Sequence, residues 1–273
     1  MTATTITQTV PDRPQRSALG WAVADTKTIA WRNLVTLRRL PQLLVFATVQ
    51  PVIFVLMFRY VFGGAIHVSG RIPYVDYLMP GVFAQTVAFG AIQTGIGLAE
   101  DLNKGLIERF RSLPMARSAV LAGRTLADLI RNVFVIALML AVGYLVGFRV
   151  QTSAVGLVAG MAVMLLFGFS LTWIFAIIGL SVSNAETAQA ASFPILAPLV
   201  FASSAFVPVS SMPGWLQAFA KNQPVSIAID AVRSLVLGGQ YASTGKVLAS
   251  LAWSIGIIAV FAPVAVRRYR RAA

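Results

Sequence analysis

Cysteine is absent from all 273 residues, so the chain holds no disulfide and no thiolate metal ligand. Histidine occurs once, at His67, which leaves no companion for a histidine metal site or a histidine-based triad. Charge is scarce and one-sided: Asp plus Glu number 9 against 22 Lys plus Arg, and charged residues make up 11% of the chain. Asp76, Glu100, Asp101, Asp128 and Glu186 fall near the ends of apolar runs, not in their centres. A carrier driven by protons or sodium commonly places a carboxylate or a broken-helix ion site near the bilayer midplane, so this placement argues against ion coupling. A phosphate-binding loop is also missing. Gly245-Lys246 comes nearest, but Gln240 and Val247 stand where the motif needs glycine and Ser or Thr. Residues 1–16 lack the apolar core of a signal peptide and, with Pro11 and Pro14, read as a polar cytoplasmic tail.

What remains is apolar. Hydrophobic residues make up 58% of the chain and mean hydropathy is +0.78. Several runs approach the ~20 residues that cross a bilayer as a helix, and the continuous blocks argue against the alternation of a membrane barrel. The pattern predicts an all-α polytopic membrane protein with six transmembrane helices, at about 42–62, 75–99, 118–148, 154–182, 188–207 and 246–266. Before them, in residues 17–40, Leu19, Val23, Thr26, Ala30, Leu34 and Leu37 form a stripe opposite Asp25, Arg32 and Arg39. That predicts an interfacial amphipathic helix with Trp21 and Trp31 at headgroup level.

Several side chains sit where lipid would not tolerate them. Gln85, Thr86, Gln93 and Thr94 give the second span more polar atoms than a lipid-facing helix bears, so they are expected to face other helices or a cavity. Arg59 lies close enough to the far end of the first span to snorkel outward. Pro51 is expected to kink that span, and Pro194 and Pro198 to bend the fifth. Asp128 is spaced to pair with Arg124 or Arg131. Gly143 with Gly147, and Gly156 with Gly160, fit the small-xxx-small packing pattern. Residues 208–245 are too polar to span and predict one or two short re-entrant helices, broken at Asn222-Gln223-Pro224, with Asp230 and Arg233 paired at i, i+3.

The formal net charge of +13 flanks the spans, which fits anionic lipid and topology better than nucleic acid. Arg32, Arg38, Arg39, Lys104, Arg109, Arg111, Arg117 and the arginines after residue 266 fall on one side; Arg71, Arg149, Lys221, Arg233 and Lys246 fall on the other. The richer side is expected to be cytoplasmic, in a bacterial cytoplasmic membrane, with both termini and the polar insert 100–117 inside.

That insert reads as a helix over about 101–112. Leu102, Leu106, Phe110 and Leu113 share one face, Lys104, Glu108 and Arg111 the other, and Pro114 stops it. Glu100 and Asp101 are read as its negative N-terminal turn. Such a helix suits a surface that another protein grips, or a basic loop that only fixes topology. On the residues alone, an ion-coupled secondary transporter and a non-transporting membrane assembly protein also stay open, though no reactive polar cluster supports an enzyme.

Three sets of residues carry a family resemblance. Glu100 is followed by Lys104-Gly105-Leu106-Ile107-Glu108-Arg109-Phe110 and Leu113-Pro114; Gly123-Arg124 opens the third span. Met212-Pro213-Gly214-Trp215-Leu216 and Asn222-Gln223-Pro224-Val225-Ser226 then precede Asp230 and Arg233. In order and spacing the chain resembles type-2 ABC transporter permeases of the daunorubicin-resistance branch over nearly its full length. The resemblance implies export of a hydrophobic drug or lipid-like molecule by two permease copies and two separate ABC ATPase subunits. ATP and Mg would sit on the ATPases, with no cofactor on this chain. It makes the insert a coupling helix, where Phe110 replaces the leucine of many relatives, and residues 222–233 an outer gate. Phe54, Phe58, Gln85, Thr86, Phe201 and Ser204 are the expected substrate path.

Overall fold

The computed structural model describes residues 18–39, 41–66, 68, 72–106 and 117–272. In chain order α1 is Ala18–Arg39 and α2 is Pro41–Leu56, which continues as a π-helical turn over Met57–Phe62. Then come α3 (Tyr74–Asn103), α4 (Arg117–Val146), α5 (Ala154–Gly179) and α6 (Ala185–Phe201). Two short helices follow, α7 (Gly214–Asn222) and α8 (Pro224–Val236), and the long α9 (Thr244–Ala272) closes the chain. No strand occurs among the described residues.

Among the described residues, four helices are long and apolar enough to cross a membrane: Tyr74–Asn103, Leu121–Val146, Ala154–Gly179 and Thr244–Arg271. Thr48–Phe62 is a shorter apolar helix, and α6 has 17 residues with Pro194 and Pro198 inside it. The helix starts follow local chemistry. Ser153 accepts a hydrogen bond from the Gly156 N–H at 3.2 Å, and Asn184 accepts one from the Thr187 N–H at 2.8 Å. Glu186 sits in the positively polarised first turn of α6, and Pro224 occupies the first turn of α8, where a missing N–H costs nothing.

The most buried helix is α3, which packs against α2, α4, α5, α6 and α8. Its small residues permit this. A Cβ on Gly179 would lie 2.1 Å from the Gly95 carbonyl oxygen, and one on Gly95 would lie 2.4 Å from that of Phe175. The α3 and α5 backbones therefore cross in direct contact, as small residues allow between membrane helices. Around the crossing, Leu78, Val82, Phe83 and Val87 of α3 meet Met164, Phe167 and Leu171 of α5 in one buried cluster.

A second, smaller cluster lies at the end of the bundle from which the insert departs. Leu98 of α3, Leu121 of α4, Ala176 of α5 and Ala265 and Tyr269 of α9 converge there, with Leu102 packed against them. Along the same end α1 lies on α4. Its Ile29 and Ala30 are buried, whereas Val23 and Trp31 are two-thirds exposed, so the expected stripe turns only partly inward.

One local expectation needs correction. Residues 101–103 do not begin the insert helix: α3 runs on to Asn103, and Gly105 adopts φ +66, the left-handed conformation that ends a helix. The Lys104 N–H bonds back to Glu100 O at 3.0 Å, and the Gly105 N–H to Leu102 O at 3.0 Å. Glu100 and Asp101 thus occupy a C-terminal turn, where the helix dipole disfavours carboxylates. Lys104 at 2.5 Å from Glu100 and Arg124 at 2.7 Å from Asp101 compensate them. The Glu100 carboxylate also holds the Lys104 ammonium above its ordinary pKa. Asp128 pairs with Arg131 at 3.1 Å, one of the two partners its spacing allowed, while Arg124 reaches across to Asp101 of α3.

Candidate functional site

The functional residues expected from the sequence fall into three places. At the insert root, Leu102 belongs to α3 and packs on the core, and Leu106 is the last described residue before the insert. Glu108, Phe110, Arg111, Leu113 and Pro114, with most of the expected coupling helix, lie outside the described residues.

The opposite end of the bundle holds a dense polar site. Residues 202–208 leave α6 as irregular backbone, and their carbonyls need partners in an apolar setting. Tyr74 donates its hydroxyl to Phe206 O at 2.7 Å; Tyr77 donates to Ser204 O at 3.1 Å and Val207 O at 3.2 Å. Arg233 enters from α8 with only 2% of its side chain exposed. Its Nη2 donates to Ser204 O at 2.6 Å and Tyr77 O at 3.0 Å, and its guanidinium lies 3.5 Å from the Tyr77 ring centroid. Asp230 balances it at 3.2 Å, accepts the Ser204 hydroxyl at 2.9 Å, and lies 3.7 Å from Lys246. Beside this site, burial raises the pKa of Tyr241 above its ordinary value.

Among the outer-gate residues, Asp230 and Arg233 meet as their spacing predicts, while Asn222 stays exposed and bonds within α7 at 2.9 Å to Ala218 O. Pro224 opens α8 directly after the break. Sequence reasoning missed Gln223. It is buried in that break and donates its amide to Leu199 O at 2.7 Å and Ala202 O at 3.2 Å, capping the end of α6. Tyr74 and Tyr77 were missed too, because their partners lie more than 125 residues ahead. Asp76 behaves similarly: it accepts the Arg149 N–H at 2.8 Å and the Gln151 amide at 3.1 Å, tying the α4–α5 turn to the start of α3.

The six residues expected on one path separate. Phe54, Phe58 and Phe201 gather around Phe206 with centroids 5.9, 4.5 and 5.7 Å from it, and Ser204 belongs to the polar site. Gln85 and Thr86 instead line a cavity of about 330 Å³ that also borders Arg131 and Phe193. Among the described residues, no group of three or more His, Asp or Glu side chains is placed to hold a metal ion.

A bundle of long apolar helices, with buried polar groups satisfied by irregular backbone, defines an integral membrane protein. The chain belongs to the ABC-2 type transporter family, whose profile matches residues 24–237. It is 39% identical, over 96% of its length and 92% of the relative's, to the daunorubicin resistance ABC transporter permease protein DrrB1 of Streptomyces coeruleorubidus. Over 83% of its length and 81% of the relative's, it is 28% identical to the probable doxorubicin resistance ABC transporter permease protein DrrC of Mycobacterium tuberculosis. The doxorubicin resistance permease DrrB of the same species is 28% identical over 66% of the chain and 61% of the relative.

Proposed function

We propose that this chain is the permease subunit of an ATP-driven exporter that moves a hydrophobic drug-like molecule out of the cell. The observation that carries this reading is the 39% identity, along nearly the whole chain, to a permease named for daunorubicin resistance. In this reading α2 with its π turn, α3, α4, α5, α6 and α9 make six spans, and α7 and α8 dip into the outer leaflet. Both termini are cytoplasmic. Two ATPase subunits hold ATP and Mg, a second permease copy completes the unit, and this chain binds no nucleotide.

The insert docks through Leu106, Phe110 and Leu113, with Glu108 and Arg111 at the rim and Pro114 ending the helix. Its root explains how a push would spread. Leu98, Leu121, Ala176 and Ala265 bind four long helices together where the insert leaves, so movement of one drags the others. At the far end Asp230, Arg233, Asn222 and Pro224 belong to the closure. The aromatic group Phe54, Phe58 and Phe201, together with Gln85, Thr86 and Ser204, marks the route between. Co-reconstitution with the cognate ATPase tests this: inside-out vesicles should accumulate daunorubicin only with ATP. Uptake driven by a proton gradient without the ATPase would replace the reading by ion coupling.

A further inference from the structure

Of the four long helices α9 is the least buried, and its outward face carries a continuous pattern. Trp253, Gly256, Val260, Val264, Arg267 and Arg271 recur at steps of three or four residues, which sets them in one line along the helix. All six are exposed. The bundle is met by the opposite face, through Ala265 and Tyr269.

The line changes character along its length. Its first half holds an open notch of about 430 Å³, lined by Ala252, Trp253, Gly256, Ile257, Val260 and Phe261. Gly256 makes the notch, since a Cβ added there would meet nothing within 4 Å. The other end carries Arg267, Arg268, Arg270 and Arg271, all exposed. None of the four has an ion-pair partner among the described residues, and α9 itself contains no Asp or Glu.

Distance ties the two ends together. Gly256 lies 11 residues before Arg267, about 16 Å along the helix, which matches one leaflet of a hydrocarbon core ~30 Å thick. An occupant of the whole face therefore needs an anionic end at the water boundary and an apolar tail that reaches the bilayer midplane. A water-soluble protein meets the arginines but not the notch, which lies at membrane depth. A second copy of this face brings the same arginines and no carboxylate, so the two repel. A negatively charged phospholipid satisfies both ends. Arginine forks take phosphate oxygens in paired hydrogen bonds, and basic residues next to a span attract anionic headgroups.

We propose that this face of α9 seats one anionic phospholipid of the adjoining leaflet. Its phosphate lies on Arg267 and Arg271, and one acyl chain runs along Val264 and Val260 to end in the Gly256 notch beside Trp253. Ala265 and Tyr269, on the far side of the same helix, belong to the cluster at the insert root, so the lipid steadies α9 where the insert leaves. The site requires α9 in a bilayer and depends neither on export nor on an ATPase.

The test uses the full chain in nanodiscs of phosphatidylcholine with a minor share of phosphatidylglycerol brominated near its chain ends. Bromine quenches tryptophan on contact, and the fluorescence lost in Trp253→Phe is the part that belongs to Trp253. Brominated phosphatidylglycerol is expected to quench that part as strongly as about five times more brominated phosphatidylcholine. Arg267→Gln combined with Arg271→Gln should abolish the preference. Gly256→Leu fills the notch on a face that touches nothing else, so the fold stays and the preference should fall at least threefold. If that variant aggregates, Val260→Trp decides by the same criterion. Equal quenching by the two lipids overturns the proposal. So does an unchanged preference in Gly256→Leu, which would leave only a diffuse attraction to the arginines. In a chain with no native cysteine, two further results overturn it. Disulfide formation between copies of Gly256→Cys would make the face a contact between permeases. Protection of Arg271→Cys from maleimide by an ATPase, but not by phosphatidylglycerol, would make the arginines a protein dock.

Discussion

Arg233 holds the polar end together because it serves carbonyls from two separate segments at once. Its guanidinium reaches Tyr77 of α3 and Ser204 of the irregular turn, with Asp230 on its own helix as counter-charge. Removing a side chain from a buried, paired network leaves the rest unsatisfied, a loss of about 3–5 kcal/mol. Arg233→Ala should therefore lower the Tm in nanodiscs sharply. Asp230 is about a third exposed, and Lys246 shares it. Asp230→Ala strands the buried Arg233 guanidinium without its carboxylate, but the Tyr77 and Ser204 carbonyls still accept from it, so the loss should be smaller than that of Arg233→Ala. A Tm for Asp230→Ala as low as that of Arg233→Ala would show that charge balance, not carbonyl pairing, holds this end. In the proposed orientation Asp230→Ala also loosens the outer closure, so export should fall while the purified complex keeps its ATPase. Loss of the ATPase would contradict that placement.

Elements were legible wherever a sharp chemical stop marks them. Asn222-Gln223-Pro224 gives the break between α7 and α8, and the turn ending at Ser153 gives the start of α5, whereas α6 starts at Ala185, ahead of the expected 188, because Asn184 caps it. The end of α3 was not legible, because the leucine spacing runs unbroken from Leu98 through Leu102 to Leu106 across the left-handed Gly105. Pairings between helices were equally hidden: Arg124 could bond within its own helix by spacing, yet the approach of α3 brings Asp101 to it. The same holds for glycine. The two small-xxx-small pairs drew attention, whereas the tightest helix crossing joins Gly95 and Gly179, which lie 84 residues apart and share no motif. That crossing makes a prediction for the element pair. Gly179→Leu has to push α5 off α3, and overpacking of this kind costs about 1–3 kcal/mol. Gly256→Leu, on an α9 face with nothing within 4 Å of the added Cβ, should leave the Tm unchanged. Equal Tm values for the two would mean that the helices do not touch there.

At the scale of the whole molecule, the question is how the insert engages a partner and moves the bundle. The basic side of the chain carries the insert, and single-cysteine labelling can locate that side in a cysteine-free protein. Lys104→Cys should react with an impermeant maleimide only in inside-out vesicles, and Lys221→Cys only in intact cells; the reverse pattern would invert the topology. With the side settled, the anchor can be tested. An aromatic that fills a cleft commonly costs about 2 kcal/mol or more when truncated, roughly thirtyfold in affinity, whereas rim charges act mainly on association rate and salt dependence. Phe110→Ala should thus strip ATPase association and drug export together. Lys104→Ala should do little, because its pairing with Glu100 is solvent-exposed and screened by water and salt. Glu108→Ala should fall between them. If Phe110→Ala abolishes export while the ATPase stays bound, the insert transmits motion without anchoring, and α1, lying on α4 beside it, becomes the dock. A Phe110→Ala, Glu108→Ala double variant that keeps its ATPase and exports normally would reduce the insert to a loop that only fixes topology.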